Sequence, residues 1–268
     1  MVEFSVVVPT HNRPELLVEA LTSVAEQTVD AFECIVVDDG SATARDVMPA
    51  DPRFRLIELA TATGPAGARN AGIEAAQGDA VAFLDDDDLW SVDRLELARS
   101  ALPHADIAVC GSRWLHEAGS APDRVLRGDV RDTIMDSSTP NLGRTAVRRD
   151  VLVPFDESYL ASQDLDWWIR QTKVATVWSV DGIGLMSRKH DGIRGLNGLN
   201  ARIEASERLM ADHADYFGAH RRATAYRRYR LGLMCRQAGD ARAGRSQLVR
   251  SLAARPSARA MRALLRPS

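Results

Sequence analysis

The chain has 268 residues, 45% of them hydrophobic and 26% charged, a composition that excludes intrinsic disorder and leaves enough chain for one sizeable core plus a smaller appendage. Its three cysteines, Cys34, Cys110 and Cys235, are far apart and show no CxxC spacing, which excludes a disulfide framework or cysteine-based zinc site and fits a reducing, cytoplasmic compartment. The net charge of -3 conceals a division: residues 201–268 hold 15 Arg, no Lys and 5 acids, whereas residues 1–200 hold 19 basic and 32 acidic groups. The acidic front argues against a nucleic-acid partner. The arginine-rich tail is compatible with peripheral contact at the inner face of a membrane, although a solvated helical face is the plainer account of most of those arginines.

Met1 runs directly into the strand-like FSVVV, and no apolar run reaches the length of a membrane span, so neither a leader nor a transmembrane segment is expected. Phe4 to Val8 reads as a first strand. Pro14 then opens a segment with Leu16, Leu17, Ala20, Leu21 and Val24 on one helical face. Cys34 to Val37 and Phe54 to Leu59 read as further strands, the second leading into a turn at Gly64 and Gly67 and a helix over about Ala66 to Gln77. Ala80 to Leu84 is a fourth continuous apolar strand, stopped by four aspartates, with Ser91 placed to cap a helix through Leu102. Such strands alternating with amphipathic helices predict a parallel sheet covered on both faces.

After Ile107 to Gly111 the pattern loosens into polar stretches, followed by a helix over Asp164 to Thr172 and a strand over Thr176 to Val180. From Asn200 onward the pattern is helical, broken at Gly218 and at Gly239 with Asp240. The expected division is an α/β domain over 1–199, with a first half 1–111 and a second half 112–199, and an arginine-rich helical extension over 200–268.

Ligands of open α/β sheets bind outside the carboxyl ends of the strands, where this sequence concentrates its unusual polar residues. The first strand ends in Pro9, Thr10, His11, Asn12 and Arg13, the second in Asp38 and Asp39, and the fourth in Asp85, Asp86, Asp87 and Asp88. Carboxylates about 4 Å apart repel by roughly 4 kcal/mol at an effective dielectric near 20, so a positive partner is expected. A divalent cation shared with substrate phosphate oxygens meets that need. Asp85 and Asp87 are the stronger candidates for the site, and Asp88 reads as a cap for the following helix.

In order along the chain, SVVVPTHNRPELLVEAL, ECIVVDDGS, GPAGARNAG, AFLDDDDLW and SQDLDWWIR resemble glycosyltransferase family 2, over roughly residues 3 to 195. The resemblance implies a GT-A-type nucleotide-binding sandwich with a mostly parallel central sheet. It also implies transfer of a sugar, with inversion, from a nucleoside diphosphate donor, UDP by preference, to an acceptor hydroxyl. It places Pro9, Thr10 and Arg13 along the nucleoside pocket and Asp39 against a base imide N–H. Arg69 goes near the diphosphate or Asp39, Asp85 and Asp86 at the ribose or donor sugar, and Asp87 on Mn²⁺ or Mg²⁺. His190 matches an element that would complete the metal shell or touch the diphosphate, with Arg188, Lys189 and Arg194 beside it. Asp164 matches the general base, which takes the acceptor proton. Gln163 stands where the family usually has Glu, and Asp166 is a rival base. Trp167 and Trp168 read more readily as core than as sugar platform.

The acceptor is open among a glycan, a lipid-linked sugar and a small molecule, and a homo-oligomer is compatible with the sequence. A sugar-phosphate nucleotidyltransferase would share the acidic strand ends but would ordinarily carry a Gly-rich basic loop after the first strand, where this chain has PTHNRPE. A non-catalytic interaction module built on the arginine-rich tail is the remaining alternative.

Overall fold

The computed structural model describes residues 2–117, 124–189 and 196–265. One unit comprises residues 1–130, 140–157 and 170–189, and a second comprises 131–139, 158–169 and 190–268. Among the described residues the first unit holds nine strands: β1 (Phe4–Thr10), β2 (Phe32–Asp38), β3 (Phe54–Glu58), β4 (Ala80–Phe83), β5 (Leu89–Trp90), β6 (Ile107–Trp114), β7 (Arg127–Gly128), β8 (Thr145–Arg148) and β9 (Val177–Ser187). They form one sheet in the order β3-β2-β1-β4-β8-β6-β9-β5, with β7 also paired to β9. The block β3-β2-β1-β4 is parallel, β8 runs antiparallel between β4 and β6, and β6 pairs parallel with β9.

Every residue of β1, β2 and β4 is buried, as expected of parallel strands covered on both faces. On one face Phe4, Val6 and Val8 join Leu17, Leu21 and Val24 of α1 (Pro14–Ala25) in the core. On the other lies α2 (Gly64–Ala75), so close to β1 that a Cβ at Gly72 would stand 2.3 Å from Val7 Cγ1. Two polar residues interrupt these strands without being stranded. Ser5 Oγ donates to Glu33 at 2.6 Å and accepts from the amides of Gln77 and Gly78, closing the α2–β4 turn onto the sheet.

Helix α2 starts two residues earlier than the sequence pattern indicates, because the Asp39 carboxylate accepts from the amides of Thr63 and Gly64 at 2.6 and 2.9 Å. Those are orphan donors of the helix start, and an anion there also favours the helix dipole. Helix α3 (Arg94–Ala101) follows Asp93 rather than Ser91, whose hydroxyl donates to Asp93 instead. Strands β7 and β8 arise inside the segment read as irregular, and β9 extends to Ser187, well past Val180.

In the second unit, α4 (Gln163–Gln171) contributes its first seven residues, followed by α5 (Leu196–Asp212), α6 (Ala214–Ala219), α7 (Arg221–Gln237), α8 (Ala241–Ala254) and α9 (Ala258–Leu265). Trp167 and Trp168 are both fully buried, with rings 5.1 Å apart in an edge-on arrangement, and belong to the core. Among the described residues no helix is long and apolar enough to cross a membrane. All three cysteines are free and buried.

Candidate functional site

The parallel block brings the carboxyl ends of β1, β2 and β4 side by side, and the segment leaving each strand supplies one wall of the site. After β1, Asn12 takes a left-handed conformation (φ 54°), which Asn tolerates better than most residues, and the turn directs Arg13 at the acidic run. Arg13 Nη1 lies 3.2 Å from Asp86 Oδ1 and 2.8 Å from Asp87 Oδ2, while Thr10 Oγ1 donates to Asp86 Oδ2 at 2.8 Å. Burial works against the Arg13 charge, but Asp86 and Asp87 outweigh it and hold the guanidinium above the ordinary arginine value. Pro9, the last fully apolar position of β1, is buried against Val37 in the sheet register.

After β2, Asp38 and Asp39 have separate duties. The fully buried Asp38 carboxylate accepts from Ser41 N and Oγ and from the amides of Ala42, Thr43 and Ala44, at 2.7 to 3.2 Å, and so builds the loop. Burial pushes its pKa up, yet those bonds to the ionised form prevail and the net shift is downward. Asp39 caps α2 through both oxygens, with Thr63 Oγ1 adding a third donor at 3.0 Å. A carboxylate has about four acceptor sites, so one remains for a further N–H.

Arg69 lies on α2, only 5% exposed, with its guanidinium over the Phe155 ring at 5.6 Å and Nη2 donating to Asp85 Oδ1 at 2.5 Å. Of the protein partners for Arg69, the structure pairs it with Asp85 rather than Asp39, whose carboxylate is turned to the α2 start.

The run after β4 is the centre of the site. Carboxylate oxygens of Asp85, Asp87 and Asp88 all lie within 4.8 Å of one another. Asp88 is not a helix cap, in contrast to the sequence expectation. It is 5% exposed and accepts from the Arg188 amide at 2.9 Å and Ser187 Oγ at 3.3 Å, at the end of β9. Burial, with the charges of Asp85 and Asp87, pushes Asp88 up to about 7 against the two hydrogen bonds that favour its ionised form. Asp86 is raised as well, chiefly by burial, with Thr10 and Arg13 opposing. Arg188 also donates from Nε to the Asp87 carbonyl at 3.3 Å and pairs with Glu19 at 2.7 Å. Three hard oxygen donors clustered at this spacing fit Mg²⁺ or Mn²⁺, which take carboxylates together with phosphate oxygens. Lys189 is engaged with Glu117 and Trp114. His190 and Arg194 lie outside the described residues.

In the second unit the two aspartates of α4 differ. Asp166 is 3% exposed and sits 2.8 Å from His213 Nε2, whereas Asp164, two positions earlier, is partly exposed. Sequence reasoning did not find the Asp166–His213 contact, the Arg188 amide or the Thr63 cap. All three join residues distant in the chain, and none leaves a local pattern.

Residues 5–152 match the family described as Glycosyl transferase family 2. The chain is 43% identical over 154 residues to the succinoglycan biosynthesis protein ExoO of Rhizobium meliloti (strain 1021), a match covering 51% of this chain and 44% of that protein. It is 36% identical over 101 residues to WfgD of Escherichia coli, described as a UDP-Glc:alpha-D-GlcNAc-diphosphoundecaprenol beta-1,3-glucosyltransferase, covering 37% of this chain and 40% of that one. The matches to these two relatives thus span less than half of their length. Staphylococcus aureus TarS in complex with UDP superposes with a TM-score of 0.66 at 18% identity, over 95% of this chain and 81% of that one. The mannosyltransferase PcManGT of Pyrobaculum calidifontis, in complex with GDP-Man and Mn2+, gives 0.62 at 20% identity, over 98% and 78%. At such identities the two structures show a shared fold. With more than half of its length inside the family match, and its acidic strand ends gathered at one edge of a GT-A-type sheet, the chain belongs to glycosyltransferase family 2.

Proposed function

We propose that this protein transfers a sugar, with inversion, from a nucleoside diphosphate sugar to an acceptor hydroxyl. The carrying observation is the convergence of Thr10, Arg13, Asp39, Arg69 and Asp85 to Asp88 at the carboxyl ends of adjacent parallel strands, in a family 2 chain. In this reading Pro9, Thr10 and Arg13 line the nucleoside pocket, and the spare acceptor position of Asp39 meets the imide N–H of a base, which uracil supplies. Arg69, beside the acidic run, would meet phosphate oxygens, and Asp85 and Asp86 would meet ribose or donor sugar. Asp87, with Asp85 and Asp88, would hold Mn²⁺ or Mg²⁺, whose chemistry there is to offset charge growing on the departing diphosphate. His190 is kept as a further candidate ligand.

Asp164 is the proposed base, accepting the acceptor proton as the bond to the anomeric carbon forms. The commitment of Asp166 to His213 supports this choice over its rival. Residues 1–111 and 112–199 would then act as donor and acceptor halves, and 200–268 as an extension. Family membership disfavours both the nucleotidyltransferase and the non-catalytic module. By analogy with the relative described as acting on a diphosphoundecaprenol-linked sugar, the acceptor we favour is lipid-linked, reached by peripheral contact with the membrane.

The test is incubation with UDP-, GDP- and dTDP-sugars in Mn²⁺ buffer, following nucleoside diphosphate release with and without a lipid-linked acceptor. Asp87→Ala should abolish both release and Mn²⁺-dependent donor binding, and undiminished turnover in that variant refutes the metal assignment.

A further inference from the structure

The last three helices carry a charge imbalance that their own packing does not neutralise. Between residues 216 and 265 there are 12 arginines and a single acid, Asp240. Asp240 is occupied as the N-cap of α8, accepting from the Ala243 amide at 2.8 Å. Nine of the arginines, Arg221, Arg222, Arg230, Arg242, Arg245, Arg250, Arg255, Arg259 and Arg262, are exposed. Arg221 donates to the Ala253 and Ala254 carbonyls and Arg259 lies over the Tyr229 ring, but neither contact neutralises charge, and the unbalanced positive charge costs self-repulsion.

The apolar residues of the same helices face two ways. Helix α9 is seated on its neighbours through Ala260 and Ala263, which are buried, and Arg236 of α7 donates to the Ala263 carbonyl at 2.6 Å. Its other side therefore faces solvent, and there Met261 and Leu265 are 47% and 75% exposed, flanked by Arg262. At 100° per residue, Met261, Leu265, Ala258 and Arg262 fall on one stripe opposite Ala260 and Ala263. Helix α8 repeats the arrangement. Gly244, Gln247, Leu248 and Ser251 are buried, and the opposite stripe presents Arg242, Arg245, Val249 and Arg250, with Val249 48% exposed.

A single exposed Leu or Met is ordinary. Two long apolar side chains on an eight-residue helix, rimmed by arginines on that helix and the next, form the pattern of a helix lying in a bilayer interface. Packed helix axes are about 8–10 Å apart, close to the Debye length at physiological salt, so arginines of neighbouring helices reinforce one another's attraction for an anionic surface. A soluble polyanion would satisfy the charges and leave Met261 and Leu265 without a role.

We propose that the outer faces of α8 and α9 dock on a membrane rich in anionic phospholipid, with Met261 and Leu265 entering the headgroup–acyl boundary and Arg242, Arg245 and Arg262 meeting headgroup phosphates. The inference deepens the lipid-linked-acceptor reading of the transfer reaction, and it rests on that reading for its purpose.

The test is co-sedimentation of the full chain with vesicles of phosphatidylcholine alone and of phosphatidylcholine mixed with phosphatidylglycerol. The expected result is binding to the mixed vesicles only, weakening as salt is raised. Met261→Ser with Leu265→Ser, and separately Arg245→Gln with Arg262→Gln, should each lower the partition coefficient about tenfold or more. All four side chains are exposed, and unchanged circular dichroism and melting temperature would show that each variant folds. Three results overturn the proposal: no binding of the parent chain to mixed vesicles, binding that both variants retain, or binding that survives loss of Met261 and Leu265 and is matched by heparin. Diphosphate release in detergent-free buffer separates the two readings. Normal release without vesicle binding rejects the surface alone, and vesicle binding without release from any nucleotide sugar rejects the transfer reading alone.

Discussion

Replacing Asp38 by Asn keeps shape and removes one acceptor oxygen, which makes the loop after β2 a sensitive place to check the physical reasoning. Asp38 Oδ1 takes three donors, Ser41 N, Ser41 Oγ and Ala42 N, and Oδ2 takes two, the amides of Thr43 and Ala44. An asparagine that keeps the first three turns its NH₂ toward the last two. Ala44 is fully buried, so its amide is left unsatisfied at a cost of about 1–3 kcal/mol. Thr43 is partly exposed and recovers water, losing about 0.5–1.5 kcal/mol. The expected destabilisation is therefore about 2–4 kcal/mol, a fall in melting temperature of roughly 5–15 °C for a chain of this size.

The same reasoning fixes a pH signature. The folded pKa of Asp38 is depressed, so its contribution is complete above the unfolded value near 3.9 and is lost as pH falls through the lower folded value. The gap between parent and variant should be constant through neutral pH and narrow below about pH 4. Urea unfolding from pH 3 to pH 8 measures both. Asp30→Asn serves as control, its side chain being 96% exposed, and should change stability by less than about 0.5 kcal/mol. A loss below about 1 kcal/mol for Asp38→Asn, or a gap that widens in acid, would refute the account.

Asp164→Asn should collapse kcat with donor affinity nearly intact, and Asp166→Asn should lower the melting temperature, through the weakened His213 contact, while keeping most turnover; steady-state kinetics with titration of the diphosphate decide, and the reverse pattern makes Asp166 the base. Gly78→Ala places a Cβ 2.6 Å from Phe4 C and Ser5 N, central-strand backbone that cannot give way, and should cost about 3 kcal/mol or more by chemical denaturation. In contrast, a Cβ at Gly218, within α6, meets nothing within 4 Å, so Gly218→Ala should stabilise by about 0.5–1 kcal/mol in the same assay.

The donor edge was readable because its strands are covered on both faces. FSVVV, CIVV and AVAFL are continuous apolar runs, and each stops abruptly at polar residues that have no place in a core. The antiparallel half was not readable for the opposite reason. β8 is only the four residues TAVR, and β9 passes through Gly182 at φ 131° and pairs with β6 through register shifts, which erase the period-two signal. The acidic run was recognised but its internal division was not. Asp88 reads locally as a helix cap, and only the approach of β9 turns it inward. Likewise Asp39 displays a ligand-type residue in sequence and, in the fold, first serves the start of α2.

The Arg188 amide that anchors Asp88 comes from a point 100 residues further along the chain. At about 5–20 residues per second, a ribosome needs several seconds to pass from one to the other. During that interval the nascent chain has the parallel block β3-β2-β1-β4 but not the strand that anchors Asp88. The Asp88 side of the acidic cluster therefore takes shape only after β9 has emerged, well after the parallel block that carries it.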